Sequence, residues 1–77
     1  MRARGEVVFI NDIELLPLSD HEWRVNDQVR AESEGLGVVG FIERRGDVFE
    51  ATRLGAPKER TSFSELSSAA LFLARAS

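Results

Sequence analysis

The strongest constraint on this chain is a pair of β-prone runs on either side of one turn triplet. Val38-Val39-Gly40-Phe41-Ile42-Glu43-Arg44 is β-branched and aromatic, Arg45-Gly46-Asp47 is turn chemistry, and Val48-Phe49-Glu50-Ala51-Thr52-Arg53-Leu54 alternates again. Two such runs joined by a glycine-bearing turn read as a β-hairpin. Val38, Phe41, Ile42 and Arg45 also have helical spacing, but Gly40 and the adjacent valines disfavour a helix. The hairpin carries apolar groups on both faces. Val38, Ile42 and Phe49 are expected on one side and Val39 and Phe41 on the other, with the side of Phe49 left open by the register. A ribbon that is apolar on both sides needs cover on both sides, so the flanking segments must supply two layers.

One cover is the C-terminal segment. Leu66 to Ala76 reads as a helix in which Leu66, Ala69, Ala70 and Leu73 fall on one stripe, widened by Ala74 and Ala76. Ser62 and Glu65 have the spacing of a capping box before it, with Ser64 as a competing cap. The stripe is narrow and alanine-rich and covers one face only. The second layer falls to the Val7–Leu18 segment or to another copy of the chain. Within that segment Asn11-Asp12 favours a tight turn, so Val7–Ile10 can face Ile13–Leu16, and Pro17 is expected to end easy pairing. Ser19-Asp20-His21 reads as a turn and Trp23-Arg24-Val25 as a short strand, with Trp23 in the core. Residues 26–37 are polar and acidic and read as a mobile loop, with a helical turn near Gln28–Glu34 as the alternative. Gly55-Ala56-Pro57 breaks the second hairpin strand, and Lys58 to Phe63 resumes as one more. Residues 1–5 are expected to be a disordered arm. The fold class is therefore α+β: one small domain over residues 1–77, an antiparallel sheet of three to five strands with one C-terminal helix packed on one face.

Composition removes whole classes of function. With 77 residues the chain has room for one domain and leaves a thin margin of core over chain entropy, which makes a homodimer a serious alternative. It has no cysteine, so thiolate nucleophiles, disulfides and sulfur-ligated zinc are ruled out, and a reducing, cytoplasmic home is expected. No secretory leader is expected, because Glu6, Asn11, Asp12 and Glu14 interrupt any apolar run after the basic start. The longest uncharged runs, Gly35 to Ile42 and Leu66 to Ala74, fall far short of the ~20 residues a spanning helix needs, so no membrane partner is expected. Net charge is −3, from 10 basic and 13 acidic residues, which disfavours a general attraction to nucleic acid. The acids concentrate in the first half, at Asp12, Glu14, Asp20, Glu22, Asp27, Glu32 and Glu34. The second half is near-balanced, with Arg44, Arg45, Arg53, Lys58 and Arg60 against Glu43, Asp47, Glu50 and Glu59 over residues 41–60.

No motif amounts to a catalytic constellation. Gly35-Leu36-Gly37-Val38-Val39-Gly40 matches G-x-G-x-x-G, but an acidic loop precedes it and a strand follows, the reverse of a dinucleotide site. Gly40 instead marks a bulge or a close backbone approach. Arg45-Gly46-Asp47 reads as ordinary turn residues. His21 is the only histidine, sits in a turn between Asp20 and Glu22, and has neither a nucleophile elbow nor metal-ligand spacing around it. Paired acids such as Asp20 and Glu22, or Glu32 and Glu34, read as solvated surface. No cofactor, metal or catalytic residue is expected.

From Trp23-Arg24-Val25 through the hairpin to Thr61-Ser62-Phe63-Ser64-Glu65-Leu66, the layout resembles the arm-type N-terminal DNA-binding domain of tyrosine recombinases. That family has three antiparallel strands and a C-terminal helix, and its exposed sheet face enters the DNA major groove. The resemblance implies DNA contacts from Arg24, Arg44 and Arg53, with Arg45 near the turn. The acidic balance and the long 26–37 segment depart from the family's pattern. The reading from the residues themselves is a small non-catalytic module that binds another protein or itself; DNA binding through Arg24, Arg44, Arg45 and Arg53 is the alternative.

Overall fold

Turn chemistry sets the strand order. The structure, a computed structural model, describes residues 6–34 and 37–75. Asn11, at φ 56°, turns the chain between β1 (Val8–Ile10) and β2 (Ile13–Ser19). A short polar side chain tolerates that left-handed conformation. Asp20-His21 leads into β3 (Glu22–Asp27). Gly46, at φ 63°, opens the two-residue turn between β4 (Val38–Arg45) and β5 (Val48–Arg53), as a tight hairpin requires. Leu54-Gly55 leads to β6 (Ala56–Phe63). Every connection but one is short, so each strand pairs antiparallel with its sequence neighbour in one six-stranded meander, β1 through β6.

Helix α2 (Leu66–Arg75) then returns across the sheet and touches β2, β3, β4, β5 and β6. Alternation places Ile13 and Leu15, Val25, Ile42 and Ala51 on the covered face, and all are buried against Ala69, Ala70 and Leu73. Of the predicted helix stripe, Ala69, Ala70 and Leu73 are buried, and Leu66 and Ala74 pack partly against the core. Alanines let the helix sit close, and Gly40 lets it sit closer: a Cβ there would collide with the Thr52 carbonyl oxygen and lie 2.9 Å from Leu73. Phe63 and Phe72 seal one end with ring centroids 5.2 Å apart, and Trp23 packs against Phe49 at 5.9 Å. The register pairs Phe49 with Arg44, which puts Phe49 on the same side as Ile42.

The structure departs from expectation at several places. Val39 is buried in the core with Ile42 rather than standing on the other face beside Phe41, at the point where the β3–β4 register shifts. The sheet has six strands rather than three to five, because the Val7–Leu18 segment joins its edge instead of forming a second layer. β2 runs through Pro17, which stands opposite Trp23, and its register shifts between Pro17 and Ser19. β1 reaches only as far as Leu15, so Pro17 has a free edge beside it, where a missing N–H is tolerated. Within segment 26–37 the helical alternative is the one observed, as α1 (Gln28–Glu34). Asp27 caps it by accepting bonds from the Val29 and Arg30 amides at 3.1 and 3.2 Å. Its exit is clamped by the Asp27 amide on the Gly37 carbonyl at 2.7 Å. Lastly, Ser62 belongs to β6, opposite Glu50, so the capping box does not form; the first α2 bond runs from the Ala69 amide to the Glu65 carbonyl. The N-terminal arm at 1–5 and the end of the predicted helix at Ala76 lie outside the described residues.

Candidate interaction surface

The meander has one roof and two faces. On the side away from α2, Phe9 and Leu18 are about half exposed, at 54% and 49%, and Phe41 is at 39%. The register organises this open face into rows that cross the strands. One row reads Ser19, Glu22, Glu43, Glu50, Ser62 from β2 to β6. The next reads Leu16, Arg24, Phe41, Thr52, Arg60. Beyond it, Phe9, Glu14 and Asn26 stand abreast. Between the first two rows a shallow depression is lined by Leu18, Glu22, Phe41, Glu43 and Thr52.

The acidic row carries a physical tension. Glu22 stands opposite Glu43, and Glu43 opposite Glu50, and like charges directly across a ladder repel. Partial relief comes from within the face. Arg45 Nε lies 3.7 Å from Glu43, Arg60 Nη1 lies 3.7 Å from Glu50, and the Ser19 hydroxyl donates to Glu22 at 3.3 Å. The two ion pairs are long, with arginine side chains 57% and 59% exposed, and individually weak.

The arginines expected on one face are divided between two. Arg24 and Arg45 lie on the open face, whereas Arg44, opposite Phe49, and Arg53, opposite Gly40, share the helix side. Arg53 Nη2 lies 3.2 Å from a Glu59 carboxylate oxygen. Arg60, not singled out from the sequence, is the open-face arginine nearest the acidic row on β6. The acidic row itself was visible only through register: a two-residue turn at Gly46-Asp47 pairs Arg45 with Val48, and counting back sets Glu43 against Glu50.

His21, Glu22 and Glu43 bring three ligand-capable atoms within 4.8 Å of one another. His21 is exposed, and the two carboxylates already engage Ser19 and Arg45. That cluster is a charged corner of the open face. None of the described helices is long and apolar enough to cross a membrane. No family model, curated protein or solved structure matches the chain.

Proposed function

We propose that this chain is a small non-catalytic interaction module that works by docking a protein surface onto the open face of its sheet. One observation carries this reading: a six-stranded sheet with a single helix on one side leaves Phe9, Leu18 and Phe41 uncovered among charged groups. Sheets in domains of this class bury an apolar face against another layer, and an exposed patch of mixed apolar and charged residues suits a protein partner. The non-catalytic part rests on a sole histidine held in an exposed turn. The lack of cysteine supports a reducing, cytoplasmic setting. DNA as the ligand is disfavoured by the acidic row and by the split of Arg24, Arg45 from Arg44, Arg53, since binding depends on neutralising phosphates from one side.

The test is site-specific photo-crosslinking in cells producing the protein. With benzoylphenylalanine in place of Phe41 we expect a discrete protein adduct, and with the probe in place of Val29, on α1, none. No adduct at position 41 would refute the reading. Titration of labelled protein with duplex DNA at low salt is expected to leave the Arg24, Arg44, Arg45 and Arg53 amides unmoved; progressive shifts would favour the DNA alternative.

A further inference from the structure

Resting on that reading, we infer that the occupant of the open face is a second copy of this chain, packed face to face about a two-fold axis that crosses the strands between the acidic row and the arginine row. The argument begins with charge. The face bears both signs in ordered stripes, Glu22, Glu43 and Glu50 in one row and Arg24 and Arg60 in the next. The rows lie about 7 Å apart, the spacing of every second residue along a strand. A partner of either single sign would be repelled by one stripe. A partner with the same two stripes in reversed order satisfies both, and a two-fold rotation about the line between the rows produces that reversal from the chain itself.

The rotation makes specific pairs. Glu22 comes to face the partner's Arg24, and the partner's Glu22 faces Arg24. Glu50 lies one strand from the partner's Arg60. The like-charge tension at Glu22, only partly relieved within one chain, is relieved by the partner's Arg24, while Glu43 comes to face the partner's Phe41 and Glu50 the partner's Thr52. Strands of the two sheets remain near-aligned, the common geometry of a face-to-face sandwich. Size agrees. The shortest dimension of the molecule, 18 Å, spans sheet plus helix, and the face across it has an outline of 36 × 30 Å. That outline accommodates the burial of about 800 Å² per partner in a standard interface.

Sedimentation velocity across a concentration series tests the inference on the purified chain. We expect a reversible dimer below about 100 μM. Arg24→Glu alone and Glu22→Arg alone are each expected to weaken it at least about tenfold, and the combined Glu22→Arg/Arg24→Glu chain to recover it to within about threefold. Arg44→Glu, on the helix side, is expected to leave the dimer unchanged. Circular dichroism melts confirm that each variant is folded. A chain monomeric up to about 1 mM, or a dimer indifferent to both single reversals, overturns the inference. Crosslinking separates the two levels. An adduct of position 41 to a different protein, with a monomeric purified chain, removes the second copy but keeps the interaction module. No adduct and no dimer removes both.

Discussion

The two faces of the one sheet are built from the same strands by opposite rules. Under α2, Leu15, Val25, Ile42 and Ala51 are shut off from solvent, and small residues at Gly40, Ala69 and Ala70 bring backbone and helix together. On the far side the same strands present Glu22, Arg24, Phe41, Glu43 and Glu50 to water. A period-2 pattern with hydrophobic residues on one side normally yields a dry face and a wet face. Here the wet face keeps large apolar groups, and the proposed interaction surface rests on that surplus. The buried core lies on one face and the proposed recognition surface on the other, so substitutions should sort by face.

The largest effect expected from that division is at Leu73, which is 1% exposed. Leu73→Ala should cost about 2–5 kcal/mol, much of the stability of so small a domain, read as a fall in the urea midpoint. Leu18→Ala, on the open face, should move stability of the monomer by no more than about 0.5 kcal/mol. Equal costs would erase the distinction between the faces. Next, Gly40→Ala should cost about 1–3 kcal/mol, because the new methyl meets the Thr52 carbonyl backbone and Leu73 at once. A neutral result would mean α2 does not seat as closely as described.

Smaller effects sharpen the picture at the margins. Asp27→Ala removes the α1 cap and should cost about 1 kcal/mol, with faster amide exchange confined to Gln28–Glu34. A double-mutant cycle on Arg60 and Glu50 should give a coupling of no more than about 0.5 kcal/mol in the monomer, since the arginine side chain is 59% exposed. A larger value would mean that the face satisfies its own charges without a partner.

Local chemistry explains which elements could be read from the chain. The β4–β5 ribbon announces itself because alternation, β-branching and a glycine turn agree, and the α2 stripe because its four apolar positions share one period. The strand count was hidden because Val7–Leu18 read as a second layer rather than as the sheet's edge, while Pro17 and Gly55-Ala56-Pro57 read as breaks although neighbouring strands carry the pairing across them. Ser62 shows the same competition: as a local signal it is a helix cap, but pairing with Glu50 claims it for β6. α1 was legible only as the alternative to a loop because its residues are polar, and its definition comes from Asp27 and from Gly37, against which Ala31 packs. The open-face rows were unreadable for a different reason. They are a property of register, and a single-residue slip exchanges the faces, so four arginines that share a residue type need not share a side.

Chain order gives the roof one further consequence. All six strands precede α2, and each pairs with the strand just before it, so during synthesis the meander can assemble as it emerges, whereas its cover arrives last. Until then Leu15, Val25 and Ile42 are as bare as Phe41. A chain cut before α2 would therefore bare apolar groups on both sides of the sheet, and the ten-residue helix α2 closes one of them.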